Sequence, residues 1–317
     1  MSAVQLSQSL VEMDTRGLLC WSSELGAIRE ALVEHCGGDV AGERWAEPDD
    51  PAALRARLRT VAPTLAEFTD RLRRAFDTDQ ACAVVIPQLG LAEFGDDQRR
   101  AGMYAVAALL GDPLANHPHE AVIWDVRDRS DQDGVPVSHS TSSRAAGYHT
   151  DAGYLKTPPR FFLLYAMRAA SCGGGESLLR DGRTVLRQLG ETEQGRSAIE
   201  ALRQPLPRRV PANFRPVAYL AEDGFQYSPV FADIPLWRWA KRNSRLGLEA
   251  NPDYATAQVW QALATVTEQL HNGPDELRPA VPTDGAIIVD NHIALHGRSA
   301  FTDTNRHLLR IRFHDPQ

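Results

Sequence analysis

Two histidines and an aspartate, far apart in the chain, carry the strongest chemical signal. Tyr148-His149-Thr150-Asp151 puts an imidazole and a carboxylate two residues apart. On an extended segment, positions i and i+2 face the same way, so both can meet one ion. Downstream, Asp290-Asn291-His292-Ile-Ala-Leu-His296-Gly297-Arg298 directly follows the apolar run Ala286-Ile-Ile-Val289. His292 and His296 compete as a third donor at a strand end. Two His and one carboxylate on one face of an octahedron leave three positions open, the arrangement of non-haem Fe(II) oxygenases.

A third feature, Arg306-His-Leu-Leu-Arg310, supplies cations close behind. A dicarboxylate cosubstrate that chelates iron through its keto-acid end must anchor its far carboxylate on a fixed positive charge. Arginine suits that task because its planar fork pairs with carboxylate bidentately and stays charged. Positions 306 and 310 share a parity, so on a strand both point to one side. A solvated basic edge strand would show the same spacing.

The elements that must position these residues are legible as periodicities. Thr64-Leu-Ala-Glu67 reads as a capping box opening a helix through Leu65, Phe68, Leu72 and Phe76. Cys82–Ile86 reads as a buried strand. A helix is predicted from Asp96 to Leu110, acidic at its start and stopped by Gly111. Strands follow at 121–126, 160–167, 286–289 and 308–313, with a helix at 254–271. The fold class expected is α+β, with a β core assembled from distant segments. Arg127–Gly147 and Pro205–Pro235 read as long loops, candidate substrate walls or uninvolved surface.

Composition sets the outer bounds. The chain has 317 residues, 34 Lys and Arg against 41 Asp and Glu, and 43% hydrophobic residues, which is globular and mildly acidic. That balance argues against nucleic acid or an anionic membrane as the main partner. Cys20, Cys36, Cys82 and Cys172 form no C-x-x-C pair, so neither a zinc framework nor a disulfide scaffold is expected. No apolar run approaches the ~20 residues of a membrane span, and no secretory signal is visible, so a cytoplasmic location is expected.

Taken together, Gly147-Tyr-His149-Thr-Asp151, Pro158-Pro159-Arg-Phe, Gly174-Gly175-Glu-Ser177, His296-Gly-Arg-Ser-Ala-Phe301 and Arg306-x-x-x-Arg310 resemble the taurine dioxygenase and clavaminate synthase family. The likeness runs over roughly residues 80–315. It implies an Fe(II)- and 2-oxoglutarate-dependent oxygenase on a double-stranded β-helix, or jelly-roll, core with flanking helices, using O2 as a further cosubstrate. It implies His149, Asp151 and His296 as iron ligands, and Ser177 and Arg306 on the 2-oxoglutarate carboxylate. It further implies that Arg310 meets an acidic group of the substrate, or shares the cosubstrate. Halogenases of this chemistry replace the carboxylate ligand with a small residue; Asp151 argues against halogenation. Residues 1–60 are expected to form an N-terminal helical extension and 61–317 a single catalytic domain.

The default reaction is hydroxylation of an unactivated C–H bond in a small polar, carboxylate-bearing molecule of specialised metabolism; desaturation or ring closure would use the same ligands. A zinc hydrolase could use the same three ligands but has no need of the Ser177 and Arg306 anchors. A non-catalytic jelly-roll binding protein is the other rival. Gly173-Gly174-Gly175 lacks the context of a nucleotide cradle. Arg238, Lys241, Arg242 and Arg245 fall at spacings that make one basic helical face beside Trp237 and Trp239. A solvated face or docking of an acidic carrier domain would follow from it. His139 and its neighbouring serines are candidates to line a substrate pocket, without an assigned role.

Overall fold

Near-continuous apolar runs, as at Ala83–Ile86 and Ala286–Asp290, form strands with both faces buried. The structure, a computed structural model, describes residues 9–15, 21, 23–36, 45–116, 121–129, 138 and 140–317. In chain order its elements are β1 (Leu10–Glu12), α1 (Leu25–Cys36), α2 (Pro51–Val61), α3 (Pro63–Asp77), β2 (Ala83–Ile86), α4 (Asp96–Leu110), β3 (Asp112–Leu114), β4 (Trp124–Arg127), β5 (Ala146–His149) and β6 (Phe161–Arg168). Then come β7 (Ser177–Asp181), α5 (Gly182–Gly190), α6 (Glu193–Leu202), β8 (Leu206–Arg208), β9 (Gln226–Ser228), α7 (Lys241–Ala250), α8 (Ala257–Asn272), β10 (Ala286–Asp290), β11 (Ala294–Arg298) and β12 (His307–His314). The class is α+β.

A seven-stranded sheet runs β1-β2-β10-β6-β12-β3, with β4 pairing the first half of β12 and β3 its second half. Only β1 with β2 is parallel among these pairs. Successive side chains on a strand point to opposite faces. Val84, Ile86, Leu163, Tyr165, Ile288, Leu309 and Ile311 therefore join the core formed with α1 to α4. Their neighbours Val85, Phe162, Ile287 and Val289 pack the other way, with Leu179 of β7 and Ala294 of β11. The run Ala286–Val289 reads as uniformly apolar because both of its faces are buried.

The second sheet is three-stranded and antiparallel, β5-β11-β7. Its outer face, through Tyr148 and Leu295, packs on Val185, Leu202 and Leu263 of the second helical layer and on Trp237 and Trp239 of the segment before α7. Burying Tyr148 and Leu295 outward forces their chain neighbours His149 and His296 inward, toward the large sheet. That parity is the contribution of the fold to the site.

Residues before 61 add buried side chains to the same core as α3 and α4, among them Ile28, Leu32, Leu54 and Leu58. The turn-rich 47–51 stretch opens α2, with Asp50 capping the amide of Ala53. Helix α3 departs from expectation at its start. It begins at Pro63, and the carboxylate of Glu24 receives the amides of Thr64 (3.0 Å) and Leu65 (3.3 Å) in place of a Thr64/Glu67 capping box. Pro63 itself lacks an N–H, so the first helical position leaves no donor to satisfy. Helix α4 spans Asp96–Leu110 as predicted. Gly111 after it is extended, and a Cβ there would collide with the carbonyl of His314. The 205–235 stretch holds the β8–β9 hairpin-like pair and a 3-10 turn at Ala212–Val217. Among the described residues no helix is long and apolar enough to cross a membrane.

Candidate metal centre

Strands β5 and β11 are antiparallel with His149 directly opposite His296. Opposed residues share a face, and here the two imidazole centroids lie 4.2 Å apart with planes tilted by 48°. Asp151 follows in a turn two residues past the end of β5, before Ala152 at φ 51°. Its Oδ1 lies 3.7 Å from His149 Nε2 and 3.7 Å from His296 Nε2. The three donor atoms fall within 4.8 Å of one another. These separations are too long for good hydrogen bonds and converge on one point, as donors sharing an ion do. Two imidazoles and a carboxylate, with no thiolate, form a donor set that suits ferrous iron.

The surroundings orient each donor. His149 Nδ1 lies 2.9 Å from the Gly147 carbonyl, so it carries the proton and leaves Nε2 a lone pair for a metal. The ring of His296 is wedged between His149 and Phe162, the latter at 4.4 Å. Arg310 Nη1 donates to Asp151 Oδ2 at 3.0 Å, leaving Oδ1 for the imidazole side. Burial alone would raise the Asp151 carboxyl; Arg310 and His296 outweigh it and hold it well below the usual carboxylate range. His292 is excluded from the cluster, because its Nε2 is taken by the Pro158 carbonyl at 2.9 Å.

A cationic corner gathers Arg306 with Arg298, the latter two residues past His296 on β11. Arg306, 5% exposed, stacks on Phe301 at 5.0 Å and donates Nη2 to the Gly175 carbonyl at 3.2 Å. Its Nη1 is buried and has no partner among the described residues. Arg298 covers the same Phe301 ring at 4.9 Å and donates to the carbonyls of Ser142 (2.7 Å) and Arg144 (2.5 Å). Burial, with Arg298 nearby, lowers the Arg306 guanidinium to about 10; burial likewise lowers Arg298 to about 10. Ser177 opens β7 directly opposite Arg298. Two guanidiniums on one ring, one with an unused buried donor, form a seat for an anion.

A family model described as taurine catabolism dioxygenase TauD, TfdA family, matches residues 48–312. The chain belongs to that family. It is a non-haem iron dioxygenase with 2-oxoglutarate as cosubstrate, and its His149, Asp151 and His296 cluster and cationic corner fit both groups. No curated protein matches the chain by sequence. Among solved structures, asparagine oxygenase in complex with Fe(II), 2S,3S-3-hydroxyasparagine and succinate is similar at 20% identity and a TM-score of 0.64, covering 97% of this chain and 93% of that one. The non-heme iron oxygenase OrfP in complex with Fe and alpha-ketoglutaric acid is similar at 16% identity and a TM-score of 0.64, covering 97% and 94%. At these identities the likeness is one of fold.

Several features of the dioxygenase escaped sequence reasoning. Arg298 and Phe301 belong to the His296–Phe301 motif, yet their shared stacking with Arg306 needs three dimensions. Asn291, next to the candidate His292, carries no sequence signal for a role of its own. The basic helical face forms without Arg238: α7 begins only at Lys241, and Lys241, Arg242 and Arg245 stand exposed on it. Arg238 instead donates to the carbonyls of Gly153, Leu155 and Lys156, clamping the loop that follows Asp151. Arg245 pairs with Glu249 at 3.1 Å on the helix surface. The triple glycine serves close packing: Gly173 and Gly175 adopt φ +74°, and a Cβ on Gly175 would meet Arg306 Nε at 2.9 Å. His139 and Cys20 lie outside the described residues.

Proposed function

We propose that this dioxygenase hydroxylates an unactivated C–H bond of a small amino acid or related carboxylate-bearing molecule, in specialised metabolism and in the cytoplasm. The observation that carries the reading is the convergence of His149, Asp151 and His296 beside a buried, unused guanidinium donor of Arg306. His149, Asp151 and His296 hold the iron. Arg306 and Ser177 receive the far carboxylate of 2-oxoglutarate, and Arg310 both orients Asp151 and faces the acidic group of the substrate. With iron, 2-oxoglutarate and O2 bound, the site would supply the oxidant for a C–H bond, one oxygen atom of O2 going to the substrate and the other to 2-oxoglutarate as it becomes succinate and carbon dioxide.

The protein supplies position and exclusion of water. Arg310 keeps Asp151 ionised and turned to the imidazoles; Phe162 and His149 keep the His296 ring from rotating. Asp151 occupies the ligand position that halogenation would need vacant. The two facing sheets support a jelly-roll reading of the core, worked as a single catalytic domain with the N-terminal helices folded against it. An amino-acid substrate is supported by asparagine oxygenase and OrfP, whose complexes contain hydroxyasparagine and hydroxyarginine.

The test has two stages. Anaerobic Fe(II) plus 2-oxoglutarate should give a weak visible charge-transfer band. Succinate release is then screened across the L-amino acids and related carboxylates, where one compound should stimulate turnover well above the uncoupled rate. Tight stoichiometric zinc with no such band would replace the oxygenase with a hydrolase. A band without any responding amino acid would retain the oxygenase and discard the substrate class.

A further inference from the structure

Asn291 lies in the turn between β10 and β11 and is 1% exposed. Its carboxamide makes a two-point pairing with the main chain of an iron ligand. Oδ1 accepts the Asp151 amide at 2.7 Å, and Nδ2 donates to the Asp151 carbonyl at 3.1 Å. Nδ2 also donates to the Pro159 carbonyl at 2.9 Å. The Asn291 amide donates to the Arg160 carbonyl at 2.6 Å. One side chain thus joins three segments that are distant in sequence: the Asp151 turn, the 159–160 approach to β6, and the turn that leads to His296.

We propose that Asn291 is a positioning residue for the metal centre, resting on the oxygenase reading above. Asp151 lies beyond the end of β5, where no ladder bonds fix its peptide. The Asn291 pairing replaces them, so that Oδ1 faces the imidazoles while Oδ2 meets Arg310. Because Asn291 is five residues before His296, the same bonds set the separation of the third ligand from the first two. Asparagine has the right groups for this. It offers an acceptor and two donors on one short planar arm. Aspartate keeps the shape but loses both donors and brings a third carboxylate beside buried Asp290 and Asp151. Alanine leaves the Asp151 amide and two carbonyls without these partners.

Neighbouring His292 provides the control. Its bond goes to the Pro158 carbonyl, and to nothing at the Asp151 peptide. A general weakening of the turn would affect both residues alike; a specific hold on the ligand would affect Asn291 alone.

The experiment is an anaerobic titration of the full chain with Fe(II) in the presence of 2-oxoglutarate, read by the charge-transfer band, for native protein, Asn291→Ala, Asn291→Asp and His292→Ala. Loss of a partner that orients a metal ligand typically weakens metal binding about ten- to a hundredfold. Asn291→Ala should show that loss together with a shifted band, while His292→Ala should stay within about threefold of native. Should Asn291→Ala fail to fold, Asn291→Asp carries the same comparison. A native affinity and band in a folded Asn291 variant would overturn the proposal, as would an equal loss in His292→Ala. Absence of the band in the native chain is a separate outcome that removes the metal centre itself.

Discussion

The ligand corner and the proposed cosubstrate corner of this site differ in how far folding alone pairs their polar atoms. Around His149, Asp151 and Asn291 most polar atoms already have partners, through Gly147, Arg310 and Pro159. Around Phe301 two guanidiniums share one ring, and Arg306 keeps a buried donor in reserve. A buried donor without a partner costs about 1–3 kcal/mol, so it persists where something offsets the cost. His296 Nδ1 and Arg310 Nε are also buried without partners among the described residues. The contrast is therefore one of degree: folding already pairs His149, Asp151 and Asn291, whereas the proposed anion seat at Arg306 is completed by its ligand. It also predicts that the corners fail separately.

The largest effect should come from the ligand corner. His149→Ala or His296→Ala removes a donor, and Fe(II) affinity should fall by more than about a hundredfold, beyond the range of lost orienting partners, with turnover at background. Near-native turnover in either variant would break the comparison at its root. Next comes Arg306→Ala, which should weaken 2-oxoglutarate about ten- to over a hundredfold, the equivalent of ~1.5–3 kcal/mol, measured by calorimetry. Fe(II) binding without cosubstrate should be unchanged. An unchanged cosubstrate constant would move the anchor to Arg310.

Gly175→Ala sharpens the distinction at lower amplitude. The new Cβ crowds the Arg306 side chain at a positive φ, so 2-oxoglutarate should weaken about three- to tenfold, near ~1 kcal/mol, while the metal constant holds. The smallest effect concerns the frame behind both corners. Asp125 accepts from Arg100 at 2.7 Å and contacts His307 at 2.5 Å, tying β4 to α4 and β12. Burial opposes its ionisation, but His307 and Arg100 outweigh burial and hold the carboxyl well below its usual range. A depressed carboxyl stabilises the fold above its unfolded value, near pH 4, and that contribution disappears as pH falls toward the folded value. Melting of the apo chain between pH 5 and 2 should therefore steepen below about pH 4. Asp125→Asn should flatten that slope and cost a few degrees at neutral pH, about the effect of ~1 kcal/mol in a large domain. A slope unaltered in the variant would assign acid sensitivity to other groups.

How much was legible differs element by element. Helix α4 was readable to its ends because its acidic start and Gly111 stop are local signals. The start of α3 was not, since its cap comes from Glu24, about forty residues away. Of the basic face at 238–245, only Arg238 was misplaced, because spacing alone cannot tell a helix from the segment before it. His292 and His296 could not be separated by periodicity; the register of β11 against β5 separates them.

Residue types and order determined the donor set: two imidazoles, a carboxylate and trailing arginines, with alternation enough to imply strands. Tertiary structure decided which atoms share a point. Chain chemistry fixes what each side chain can bind, but the direction it faces depends on which neighbour is buried. Here the burial of Tyr148 and Leu295 against the outer helices turned His149 and His296 inward, and a distant asparagine turned Asp151 to meet them.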